Sequence, residues 1–193
     1  MLKKLSEMSL EELWELFPIF LTEHKDYWKD WFEEEHKRLE LLFSNNQIVR
    51  ISHIGSTAVD TIWAKPIIDI LVEIPKESNI EEIKDILVYN GYICMSQNED
   101  RISFNRGYTE NGFAEKVFHL HLRYVGDNNE LYFRDYLIDY PDIAKEYEKM
   151  KLGLWKKYTH NRDGYTNAKS EFIFKYTEEA KSQYKGRYEL EKI

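Results

Sequence analysis

Residues 47–74 read QIVRISHIGSTAVDTIWAKPIIDILVEI, and the fold turns on how this stretch is divided. From Gln47 to Ile54 the side chains alternate, with Val49 and Ile51 on one face and Arg50 and Ser52 on the other, the period of a half-buried strand. Gly55-Ser56 breaks the alternation. From Ile67 to Ile74 a second strand follows, carrying Ile68, Ile70, Val72 and Ile74 on one face and Asp69, Leu71 and Glu73 on the other. An unpaired carboxylate on so apolar a strand loses much of its hydration, so Asp69 reads as a residue kept for a purpose.

Working outward, Ser9-Leu10-Glu11-Glu12 predicts a capped helix that ends near Pro18, and Ile19 to Thr22 a brief extended segment. Trp28, Trp31, Phe32, Leu39, Leu42 and Phe43 recur at helical spacing and predict a long amphipathic helix over 25–43. Downstream, Ile80 to Tyr89 predicts a helix stopped at Asn90-Gly91, followed by short strands at Tyr92 to Met95 and Arg101 to Arg106. Residues 107–115, rich in Gly, Thr and Asn, read as a loop. In Val117 to Tyr124, Phe118, Leu120 and Leu122 share one face, and His119, His121 and Arg123 the other. Beyond Gly126-Asp127-Asn128 the chain reads as helical, interrupted near Pro141 and around Asn161 to Gly164.

The 193 residues suit one domain, with 1–18 as a helical extension and 128–193 as a helical C-terminal part. Apolar residues make up 42% and aromatic residues 15% of the chain, enough to offset the entropy of ordering it. No apolar run approaches the roughly 20 residues that span a bilayer, and the first residues lack the apolar stretch of a secretory signal, so no membrane association and a cytoplasmic location are expected. The lone Cys94 reads as a small buried hydrophobe. A formal charge of -8 argues against broad nucleic-acid binding, and an acidic protein that handles polyphosphate needs divalent ions or a few well-placed basic residues. Nothing in the sequence indicates an oligomeric state.

The run His53-Ile54-Gly55-Ser56-Thr57, followed by Asp69 on a strand, resembles the signature of the nucleotidyltransferase superfamily. Within it, HIGSTAV, AKPIIDI, FHLHL, FRDYL and the pair Ala168-Lys169 resemble, in order, the GrpB family over roughly residues 19–175. The resemblance implies an α/β (α+β) nucleotidyltransferase-like fold: a mixed twisted sheet flanked by helices. It also implies a site for a nucleoside triphosphate and a divalent metal ion, Mg, Mn or Zn. In that reading Gly55, Ser56 and Thr57 cradle phosphate, Asp69 binds the metal, and Asp69 and Ser56 are the catalytic pair. The pattern departs from the superfamily at Leu71, where a second carboxylate is usual. Glu73 shares that face but lies roughly 7 Å further along the strand, which strains shared ligation of one ion.

His119 and His121 are candidate nitrogen ligands where related enzymes use a third acid, and are equally well polar residues on the open face of a sheet. His53 reads as a satisfied core histidine beside the turn. Lys65, Arg101 and Lys169 are candidate phosphate contacts, Lys169 with its stem along an apolar stripe between Tyr165 and Phe172. Arg106 has the same chemistry, whereas Arg134 and Asp135 read as a structural pair. Glu33-Glu34-Glu35 and the tail after Ala180 read as solvated faces. The expected function is metal-dependent nucleotide binding, extending to nucleotidyl transfer. The rival readings are a non-catalytic nucleotide or metal sensor and a metal-dependent phosphoester hydrolase working through the two histidines.

Overall fold

The computed structural model describes residues 3–44 and 46–189. After a short 3-10 turn at Leu5–Glu7, α1 (Leu10–Leu16) and α2 (Tyr27–Leu42) precede β1 (Arg50–Ile54) and β2 (Ile68–Ile74). Then come α3 (Ile80–Tyr89), β3 (Ile93–Gln97), β4 (Arg101–Thr109) and β5 (Gly112–Tyr124). Four helices close the chain: α4 (Asn129–Asp139), α5 (Pro141–Tyr158), α6 (Arg162–Asn167) and α7 (Ser170–Gln183). The result is the expected α/β arrangement, a five-stranded mixed sheet of order β1-β2-β5-β4-β3 with helices around it. Only the β2–β5 pairing is parallel; the others are antiparallel.

The two faces of the sheet follow the alternation in the sequence. Ile68, Ile70 and Val72 of β2 and Leu120 and Leu122 of β5 point to the side covered by α2 and α3, where Trp28, Phe32, Leu39, Ile83 and Leu87 complete the core. On the opposite face the register sets Asp69 beside His119, Leu71 beside His121, and Glu73 beside Arg123. There α4 covers one end, packing Leu131 on Ile54 and Leu71. A second core of tyrosines and phenylalanines joins α4 and α5 to α7. Every residue of β2 is buried except Asp69, which lies half-exposed in the gap the helices leave.

Several expectations are corrected by packing. Residues 107–115 are not a loop: β4 and β5 run on through Tyr108↔Phe113 and Thr109↔Gly112, leaving only Glu110 and Asn111 at the tip. A bulge after Arg106 uses Gly107 at φ +89°, where a Cβ would lie 2.3 Å from the Lys116 carbonyl oxygen. The extension is stabilised by Phe17, which stacks on Tyr108 and Phe113 at centroid distances of 4.6 and 5.0 Å. Glu35 is not solvated: it is buried on α2, accepting from Tyr92 Oη at 2.5 Å and pairing with Arg38 and Arg106. The tail beyond Ala180 is not wholly solvated either, since Tyr184 is buried against the aromatic core. Cys94 is only half-buried, on edge strand β3.

Candidate functional site

The turn after β1 is drawn tight against β2. Gly55 adopts φ 72° and ψ −170°, a region that essentially only glycine occupies, and a Cβ there would lie 2.4 Å from Asp69 Oδ2. Glycine at this position is thus what lets the turn and the carboxylate share one spot. Thr57 fastens the turn from below. Its buried hydroxyl donates to the Ile67 carbonyl at 3.2 Å, and with its proton so used it accepts from His53 Nε2 at 2.9 Å. His53 stacks on Phe32 at 4.8 Å, and burial pushes its pKa down to about 4, so it is a neutral core histidine as expected. Thr57 therefore shapes the turn rather than offering its hydroxyl to a ligand.

Asp69 meets both histidines of β5. His119 Nδ1 lies 3.1 Å from Asp69 Oδ1, and His121 Nε2 lies 3.7 Å from the same oxygen. Arg162 on α6 lies 2.9 Å from His119 Nε2, and the Tyr108 hydroxyl is at 2.8 Å. A guanidinium has no lone pair, so Nε2 is the acceptor and Nδ1 carries the proton that His119 gives to Asp69. Burial keeps the imidazole neutral, with its pKa lowered to about 4. Burial alone would raise the pKa of Asp69, but hydrogen bonds from His119 and His121 outweigh it and hold the carboxyl well below its ordinary range.

Above this carboxylate lies a cleft of ≈ 590 Å³ bounded by the Gly55-Ser56 turn and by α4, α5, α6 and α7. Lys65, Lys151 and Lys169 line one side of it. Lys151, which sequence reasoning missed, is 1% exposed on α5 and donates to Ser56 Oγ at 2.9 Å and to the Trp63 carbonyl. Its ammonium sits 4.9 Å from the Tyr147 ring centre. Lys65 and Lys169 both sit over Tyr165, at 5.5 and 4.5 Å from the ring centre. Burial, then the neighbouring positive charges, brings Lys65 and Lys151 to about 7. Burial likewise lowers Lys169, to about 8. The opposite wall carries Phe133 and Leu137 from α4 and Ile173 and Phe174 from α7, with Glu130 and Glu178 of the same helices also lining the cleft.

Two other candidates are not brought to the cleft. Arg101 is exposed and donates through Nε and Nη2 to both oxygens of Asp127, at 2.6 and 2.7 Å. Glu73 is fully buried and accepts from the Gly126 N–H and the Asn128 amide at 3.1 and 2.9 Å, with Arg50 paired at 3.2 Å. It is a structural acid that fixes the end of β2. Arg106 is held by Glu35 on the far face, and Arg134 pairs with Asp135 as expected.

The profile of the GrpB protein family matches residues 18–179, which is most of the chain. The chain belongs to the GrpB family. Among its relatives, YqkA of Bacillus subtilis is 34% identical over 167 residues, 85% of this chain but 48% of that protein, so the chain spans about half of YqkA. The glutamate-rich protein GrpB of Alkalihalophilus pseudofirmus is 36% identical over 166 residues, covering 80% of this chain and 91% of that one. The crystal structure of conserved protein GrpB from Enterococcus faecalis superposes with TM-score 0.73 at 29% identity, over 86% of this chain and 99% of that one.

The resemblance drawn from the sequence implies a divalent ion at Asp69, and the donors of this GrpB-family chain do not fit one as they stand. His119 spends its Nε2 lone pair on Arg162 and its Nδ1 proton on Asp69, so neither nitrogen faces a shared metal position. Leu71 supplies no oxygen, and Glu73 is enclosed elsewhere. Among the described residues no group of three or more His, Cys, Asp or Glu side chains is placed to hold a metal ion. No helix among them is long and apolar enough to cross a membrane.

Proposed function

We propose that the cleft binds a nucleotide, its phosphates against Gly55, Ser56, Lys65, Lys151 and Lys169 and its base against the apolar side chains of α4 and α7. The observation that carries this reading is the division of one cleft into a side with a Gly-Ser turn and three lysines and a side of Phe133, Leu137, Ile173 and Phe174. Phosphate oxygens are satisfied by charged donors and a small-residue turn, and a planar base by aromatic and aliphatic surface. Phe174, 69% exposed at the mouth, offers a ring for stacking that the folded core does not use.

Of the readings open at the outset, a binding protein or sensor is favoured over a transferase. A second carboxylate is what would let a transferase hold bridging metal ions, and Leu71 at that position is fully buried between Ile54 and Leu131. The histidine-based hydrolase is disfavoured because His119 is committed to Arg162 and Asp69.

Isothermal calorimetry with ATP, GTP, CTP and UTP tests the reading, using the whole chain and Phe174→Ala. Saturable binding of at least one nucleotide, weakened in the variant, is the expected result. Heats that stay at the level of dilution for all four nucleotides, with and without magnesium, would end it.

A further inference from the structure

The charges beside Ser56 and Asp69 are arranged opposite to those of a metal-dependent nucleotide site. Such a site gathers acids, and the acids gather cations that shield the phosphates. Here three carboxylates line the cleft, Asp69, Glu130 and Glu178, and of these it is Asp69 whose charge acts on Lys65, Lys151 and Lys169. Neither Lys65, Lys151 nor Lys169 forms an ion pair among the described residues. They rest on aromatic faces, two of them on the same Tyr165 ring, and Lys151 reaches Ser56 Oγ. Gathering three lysine amines in a half-enclosed cleft with no carboxylate in ion-pair contact is unfavourable for the free protein, burial and mutual repulsion bring Lys65 and Lys151 to about 7, and an anion in the cleft favours their charged forms. The carboxylate, for its part, has its Oδ1 held by His119 at 3.1 Å with His121 at 3.7 Å from the same oxygen.

We propose that this cleft takes the phosphate end of its ligand without a divalent ion, the neutralising charge being supplied by Lys65, Lys151 and Lys169. The inference rests on the nucleotide reading for the identity of the ligand, but makes a separate claim about what balances its charge. Lysine suits the task as a compact point charge with three donors, able to meet a terminal phosphate whose oxygens point in several directions. Asp69 then acts against the anion. Its role is to anchor the turn and the imidazoles, and its negative charge weakens phosphate binding.

That last point gives a test in which the two mechanisms predict opposite signs. Inorganic tripolyphosphate and ATP are titrated into the whole chain in EDTA, then in excess magnesium, and the titrations are repeated with Asp69→Asn and Lys169→Gln. Asparagine keeps an oxygen for the His119 proton while removing the charge. The expected result is binding in EDTA at least as tight as in magnesium, several-fold tighter in Asp69→Asn. Lys169→Gln should weaken it by about 10- to 100-fold, as for loss of one charge-assisted contact. Arg101→Ala, which removes an arginine remote from the cleft, should change nothing.

Binding that appears only with magnesium and is lost in Asp69→Asn overturns the proposal while leaving the nucleotide reading in place. Binding of ATP but not tripolyphosphate in EDTA also overturns it, because the phosphate end would then not be the anchor. If neither probe binds under any condition, both readings fall. Lys169 is chosen over Lys151 because it is only partly buried, and circular dichroism of each variant establishes that it has folded.

Discussion

Replacing Gly55 by alanine tests the geometry on which the site depends, and the structure sets the size of the effect. At φ 72° and ψ −170° a non-glycine residue is strained by about 1–3 kcal/mol. The new Cβ would also meet Asp69 Oδ2 at 2.4 Å, Cβ at 3.0 Å and Cγ at 3.1 Å. The carboxylate cannot swing aside freely, because Oδ1 accepts from His119, and breaking a hydrogen bond to a charged group costs about 1.5–3 kcal/mol. Together these give about 2.5–6 kcal/mol, which at about 3 °C per kcal/mol for a chain of this size lowers Tm by about 8–18 °C. The measurement is thermal and urea unfolding of Gly55→Ala, Asp69→Ala and the double variant. Asp69→Ala removes Oδ2 and Cγ but leaves Cβ and the backbone strain, so the double variant should be less destabilised than the sum of the singles by about 1.5–3 kcal/mol. Additivity to within about 0.5 kcal/mol would show that the turn and the carboxylate do not touch, and would refute the account of Gly55.

Three further outcomes follow from particular side chains. Leu71→Asp should destabilise the protein in urea by several kcal/mol without creating magnesium binding, since it buries an unpaired carboxylate under α4; a gain in metal affinity with stability preserved would contradict the packing at Leu71. Glu73→Gln should lower stability by about 1.5–3 kcal/mol while leaving tripolyphosphate binding unchanged, because it weakens only the contacts to Arg50, Gly126 and Asn128; lost binding would place Glu73 in the site after all. For Lys151, the folded amine titrates at about 7 and the unfolded one near 10.5, so between these values the unfolded chain holds more protons and stability due to this group rises with pH. The stability difference between the native chain and Lys151→Met should therefore shift toward the native chain from pH 7 to 10, by no more than about 1.4 kcal/mol per unit; a flat difference would mean that Lys151 is charged when folded.

The sheet was largely legible because its signals are local. The two-residue period of 68–74 and 117–124 set the side chains of β2 and of the 117–124 part of β5 on their observed faces, and the Gly-Ser break and Asp69 fell together in space. What the period did not carry was long-range partnership. Arg101 and Glu73 had the chemistry for a phosphate or metal site, but Asp127 took up the first, and Arg50 and Asn128 the second, all distant in sequence. The 107–115 segment had the composition of a loop, and Phe17 and Phe20, nearly a hundred residues earlier, pack against it as a hairpin. Lys151 left a signal that was passed over. Ala144, Tyr147 and Lys151 fall at i, i+3 and i+7 on α5, the spacing of one helix face, and the first two are buried. A lysine on the buried stripe of an otherwise ordinary amphipathic helix marks a charge turned inward.

That inward charge connects two features that look unrelated in the sequence. Leu71 stands where the superfamily pattern has a second acid, and Lys151 stands where an amphipathic helix would have an apolar residue. Taken singly, the first looks like a lost catalytic group and the second like a packing fault. In the structure they bear on the same few ångströms: Leu71 is two residues from Asp69, Lys151 touches Ser56, and Ser56 follows the glycine that lies against Asp69. A site that gives up an acid loses its hold on a divalent ion and must find positive charge elsewhere if it is to keep a phosphate ligand. Lysines drawn in from α5, from the segment before β2 and from the start of α7 supply that charge without any ion. The net charge of -8 is silent on this, because it sums over the whole chain while three lysines are turned into one side of the cleft. Local arrangement, and not the sum over the chain, decides which sign of ligand the cleft accepts.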